Sequence, residues 1–205
     1  MSREEVANTI SHGLGLLLAI AAVPVLIVSA MRAGSAHSIF GVSVFAATMV
    51  LLYLVSTLYH WLTHEPSKQL FRLFDHTAIF LLIAGTYTPF ALGVLRGPWG
   101  WSMLAAVWVL ALVGITLKMI ARTRHSRITI ALYVVMGWLA VVAIKPILAL
   151  VPVPGILLIL AGGVAYTGGL AFFAAQRIRY NHLIWHLFVI AGTVFHFFAV
   201  LWYAT

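Results

Sequence analysis

Of the nine histidines in the chain, two stand at a spacing that can do chemistry. His182 and His186 open the last apolar stretch, "NHLIWHLFVIAGTVFHFFAVLWYAT". Residues four apart on a helix share one face, about 6 Å apart along the axis. Two imidazoles so placed can grip one metal ion. His60 closes the second apolar stretch and Asp75 opens the third. If these stretches cross a bilayer, all four groups lie at one depth, and ionisable groups inside a span normally face a partner or a cavity. Three histidines leave one position of a zinc shell open for water, the arrangement of a catalytic site, whereas a structural site usually fills all four positions with protein ligands. Asp75 would accept a hydrogen bond from that water and act as its base. Ser56 stands one turn before His60, in "STLYH". Its hydroxyl could approach the metal, or bond back to its own helix carbonyl; the residues alone leave both open.

Each residue also has a plainer role. His182 could be interfacial, His60 a hydrogen-bonded core residue and Asp75 a helix N-cap. His196 lies ten residues beyond His186, about 15 Å deeper, and is expected to be a hydrogen-bonded core histidine. His37, His64 and His125 fall in or near loops. His76 follows Asp75 but points about 100° away on the helix, so it could only support the ligands from behind.

The elements that hold these residues are transmembrane helices. Hydrophobic residues make up 63% of the 205 and charged residues 8%, against about 25% charged in soluble domains. That leaves too little polar surface for a soluble globule. The formal net charge is +8 from only 12 basic residues, and these sit between apolar runs, so membrane topology explains them better than nucleic-acid binding. Cysteine is absent, which excludes thiolate ligands and disulfides. The first apolar run is too long for a signal-peptide core and Glu4 and Glu5 precede it, so the N-terminus is expected to be retained.

Seven runs are long enough to span, at about 20 residues each: 11–31, 38–61, 74–95, 100–119, 127–144, 154–175 and 182–203. The expected architecture is all-α, one seven-helix transmembrane domain over residues 1–205. "RGPWG" and "KPILALVPVPG" read as connections, since Pro and Gly suit helix ends. Arg3, Lys68, Arg72, Lys118, Arg122, Arg124, Arg127, Arg177 and Arg179 fall on one side of this topology, and Arg32, Arg96 and Lys145 on the other. Nine against three predicts a cytoplasmic N-terminus and an outer C-terminus. Ala161, Ala165 and Gly169 recur at four-residue steps, as small residues do where helices approach closely; packing inside the bundle is expected there.

The motifs carry a resemblance. "EEVANTISHG", "STLYHW" with "FDHTAIFLLIAGTYTPF", and "NHLIWH" resemble those of bacterial hemolysin III proteins, within the progestin and adiponectin-receptor (PAQR) family of seven-helix membrane proteins, related to the alkaline ceramidases. With the seven-span layout they cover essentially the whole chain. The resemblance implies that His60, His182 and His186 bind zinc, that Asp75 holds the zinc-bound water, and that Ser56 sits beside the metal near the inner leaflet of the bacterial cell membrane. Glu5, Asn8, Ser11 and His12 fit the family's first motif. Glu5, Asn8 and His12 fall on one helical face and would cap the site, unless Asn8 or Ser11 simply caps a helix. The long N-terminal extension of the animal receptors has no counterpart here, which argues against hormone reception.

Three functions follow. The first is a zinc-dependent intramembrane hydrolase whose substrate, by resemblance to the ceramidases, is a membrane lipid amide or ester. The second is a membrane sensor or receptor with a structural zinc. The third is a cytolytic or pore-associated protein; a secreted pore-former should be soluble first, and an ion path needs more intramembrane charge than Asp75 offers. No nucleic acid is implied, and the oligomeric state is not read from the residues.

Overall fold

The computed structural model describes residues 1–121, 127–175 and 177–204. Arg122, Arg124 and His125 therefore lie outside the described residues. Eight α-helices run α1 (Arg3–Ala33), α2 (Ala36–Trp61), α3 (Glu65–Leu92), α4 (Pro98–Ala121), α5 (Arg127–Gly137), α6 (Ile144–Leu150), α7 (Val153–Ala174) and α8 (Asn181–Tyr203), with a 3-10 turn at Leu139–Ala143. Because α5, the turn and α6 stack into one rod, seven segments are long and apolar enough to cross a membrane. Large apolar side chains such as Leu17, Leu18, Val109 and Ile120 stay exposed around the bundle, as a lipid-facing surface requires.

The helices outrun the apolar runs, and the difference shapes the site. The first helix begins at Arg3, not Ser11: Ser2 Oγ accepts the Glu5 backbone N–H at 3.2 Å, and Glu4 and Glu5 occupy the first turn, where negative charge favours a helix start. Glu5, expected to precede the first helix, is therefore part of it. The third helix begins at Glu65 rather than near residue 74, so Asp75 is well inside it and is not its N-cap.

The fifth span runs beyond residue 144 to Leu150 and is broken in the middle. "KPILAL", read as a connection, is mostly α6. A break inside a bilayer frees backbone groups that must find partners in the protein. Tyr87 of α3 supplies both: its hydroxyl donates to Gly137 O at 2.9 Å and accepts the Ala140 N–H at 3.0 Å.

Small residues set how closely helices pack. On α7 the buried seam is Gly155, Gly162, Ala165 and Gly169. Ala165 and Gly169 match the expected stripe, whereas Ala161 is only partly buried. Gly162 leaves the space that the His196 ring of α8 fills. His196 Nε2 meets Ile159 O at 3.1 Å, the hydrogen-bonded core role expected of it. At the α1/α2 contact, a Cβ on Gly15 would sit 2.6 Å from Tyr53 Cε1. Tyr53 cannot swing away: it is 2% exposed and donates to Thr193 Oγ1 at 2.9 Å. Gly15→Ala should therefore destabilise the bundle by about 1–3 kcal/mol through overpacking, read as a lower midpoint of thermal unfolding in detergent.

Candidate metal centre

The end of α2 and the starts of α1, α3 and α8 meet at one end of the bundle. His60 comes from the last turn of α2, and His182 and His186 from the first two turns of α8. Their ring centroids form a triangle: His60–His182 4.9 Å, His60–His186 5.0 Å and His182–His186 4.6 Å. One ligand nitrogen from each ring lies within 4.8 Å of the other two. These three residues could hold a metal ion. His60 and His186 are buried at 3% and 1% exposure, so imidazoles with no job would be costly there.

The hydrogen bonds around the rings settle which nitrogens face inward. Glu5 Oε2 takes His60 Nδ1 at 2.6 Å. A carboxylate only accepts, so Nδ1 carries the proton and Nε2 the lone pair. His60 Nε2 is buried and makes no hydrogen bond. On His186, Nδ1 lies 2.9 Å from Ser11 Oγ, and that hydroxyl donates its proton to Asn8 O at 2.9 Å. Ser11 is thus an acceptor for His186 Nδ1–H, which leaves the ring's lone pair on Nε2. Fixing the tautomer of a ligand histidine through its remote N–H is how proteins prepare imidazoles for metals. The donor chemistry therefore fits a nitrogen-ligated ion.

Asp75 and Ser56 complete a second chain of contacts. Ser56 is fully buried and lies beside the Asp75 carboxylate. Its Oγ also meets His12 Nδ1 at 2.7 Å. Of the two roles left open for Ser56, neither describes this contact: its hydroxyl meets His12 across the α1/α2 interface instead. Asp75 is buried and within electrostatic reach of His60. The His12 ring stacks on His186, with centroids 3.5 Å apart and planes 10° from parallel.

The residues of the first motif thus separate by what they touch. Glu5 and His12 reach the cluster with their side chains, and Ser11, which helix capping would also have explained, bonds the His186 ring instead. Asn8 contributes its carbonyl, through Ser11, while its buried Oδ1 has no hydrogen-bond partner. His76 lies behind the site: its ring packs 6.4 Å from Phe173, which in turn lies 5.8 Å from the His182 ring. Lys68, which entered the sequence analysis only as a topological charge, donates to Glu5 Oε1 at 2.9 Å. A cation in the first turn of a helix opposes the helix dipole, but the sequence starts the third span near residue 74, so that signal appears only once the helix start at Glu65 is known.

Between α3, α5, α7 and α8 runs an apolar cavity of about 80 Å³. Leu52, Ile79, Tyr133, Trp185, Val189 and His196 are among its lining residues. Trp185 immediately precedes His186, and the Tyr133 hydroxyl donates to His76 O at 2.7 Å. A second cavity of about 70 Å³ shares Thr86, Tyr87, Gly137, Gly163 and His196 with it and continues along the broken fifth span.

Known proteins agree with the layout. The Haemolysin-III related family matches residues 2–197. Hemolysin-3 of Bacillus cereus is 46% identical over 201 residues, covering 98% of this chain and 92% of that protein. The Hemolysin-3 homolog of Bacillus subtilis (strain 168) is 45% identical over 201 residues, covering 98% and 94%. The human monocyte to macrophage differentiation factor is more distant, 24% identical over 163 residues, covering 77% of this chain and 67% of that one. No solved structure matches the chain. Seven spans, the histidine cluster at one end of the bundle and these relatives together make the chain a member of the Haemolysin-III related family, a multi-pass protein of the bacterial cell membrane.

Proposed function

We propose that the protein is a zinc-dependent intramembrane hydrolase acting on a lipid amide or ester, with its site near the cytoplasmic leaflet. The observation that carries this reading is the histidine triangle with an Asp75–Ser56 pair beside it. Three imidazoles and no thiolate suit zinc, and a fourth position left to water is the pattern of catalytic rather than structural sites. When bound, zinc supplies Lewis acidity at a scissile carbonyl and lowers the pKa of water into the neutral range.

The chain's own residues do the rest. His60, His182 and His186 hold the ion, and Glu5 and Ser11 keep the His60 and His186 rings turned toward it. Asp75 has two carboxylate oxygens. One lies beside Ser56; the other takes the proton from the attacking water and returns it to the leaving amine or alcohol. His12 Nδ1 meets Ser56 Oγ at 2.7 Å and so holds that hydroxyl in place. The cytoplasmic placement follows from nine of twelve basic residues on that side.

The test is turnover of long-chain amides and esters by the purified protein in lipid nanodiscs, with and without a chelator. Release of fatty acid that stops on chelation and returns with zinc supports the reading. No release from any amide or ester by a fully zinc-loaded protein contradicts it.

A further inference from the structure

Lys68 is more than a topological charge, because its ammonium reaches the site through a carboxylate. It lies in the first turn of α3, where the helix dipole disfavours a cation. Its ammonium donates to Glu5 Oε1 at 2.9 Å, lies 3.4 Å from Leu62 O, and sits 5.2 Å from the Tyr59 ring centroid. Tyr59 precedes the ligand His60, and Leu62 caps the same helix. The other oxygen of the same carboxylate holds His60 Nδ1 at 2.6 Å. Three helices thus meet in one chain: Lys68 of α3, Glu5 of α1 and His60 of α2.

Glu5 is 27% exposed and His60 is 3% exposed. A partly exposed glutamate has rotamers that carry its carboxylate into water, away from the histidine. Lys68 removes that freedom by holding the second oxygen, so the first stays on the ring. As a plain surface ion pair the contact would matter little. As the outer link of a carboxylate–histidine arrangement it decides whether an imidazole arrives at the ion correctly turned.

We propose that Lys68 is a positioning residue that sets the metal affinity of the cluster, acting through Glu5 on His60. The proposal rests on the reading of the cluster as a metal centre and not on hydrolysis. Nothing in the ligand set itself identifies it, because Lys68 touches no ligand.

The test uses full-length protein in nanodiscs, stripped of metal and titrated with zinc against a chelator of known affinity, with cobalt as a spectroscopic reporter. Lys68→Met is expected to weaken zinc about tenfold, the lower end of what loss of such supporting contacts costs. Glu5→Gln should weaken it by at least as much. The double variant should be no worse than Glu5→Gln alone, since Lys68 acts through that carboxylate. Lys68→Arg, which keeps the charge and the donors, should restore affinity to within about threefold. The cobalt ligand-field bands should shift in Lys68→Met and return in Lys68→Arg. If Lys68→Met lowers the unfolding temperature but leaves zinc affinity and the cobalt spectrum unchanged, the lysine is only a surface tie and the proposal is wrong, with the metal reading intact. If the wild type binds neither ion, both the proposal and the metal reading fall.

Discussion

Replacing His186 with alanine should empty the site. The ring is 1% exposed, stacks on His12, and has its Nδ1 on Ser11, so its loss removes one of three ligands and unseats the other two contacts. With two imidazoles left, zinc retention should fall by about 100-fold or more, beyond the usual effect of losing a supporting contact. Hydrolysis should fall to background with it. His60→Ala and His182→Ala should behave alike, because each removes a corner of the same triangle. Metal content is the readout that matters here, measured on protein that elutes as a monodisperse, helical species. A His186→Ala protein that keeps its zinc would show that the ion sits elsewhere.

The second large effect separates catalysis from structure. Asp75→Asn keeps the size of the side chain and an oxygen beside Ser56, but it removes the proposed base. Zinc content should stay near the wild-type value, since Asp75 is outside the ligand triangle. Turnover should fall about 10²–10⁴-fold, the usual contribution of a positioned base, equal to about 3–5 kcal/mol in the barrier. A sensor with structural zinc makes the opposite prediction: Asp75→Asn would leave function alone, and His60→Ala would unfold the bundle.

These two residues illustrate how much of the site the sequence made legible. His182 and His186 announce themselves because the period of a helix turns a spacing of four into one face. His60 and Asp75 could be added because span boundaries fix depth even when neighbouring helices are unknown. The seven spans were equally plain, since bilayer thickness sets their length. What stayed hidden depends on tertiary contact. Glu5 stands three residues after Ser2, the spacing of a capping box, and local chemistry would have spent it there. Its carboxylate instead crosses to His60 and Lys68, a choice made by the packing of α1 on α2. Ser11 likewise had a local explanation as a cap, and only the approach of α8 gives it His186. The break in the fifth span was missed for a related reason. Its freed backbone groups are met by Tyr87 from a distant helix, and no local pattern signals a donor supplied that way.

The central claim is that the His60–His182–His186 triangle holds one zinc, and the most direct test is elemental analysis of wild-type protein after mild purification without added metal or chelator. About one zinc per chain is predicted, given three nitrogen ligands converging on one point. Metal-free protein that is folded, monodisperse and unable to take up zinc on reconstitution would contradict the account at its root.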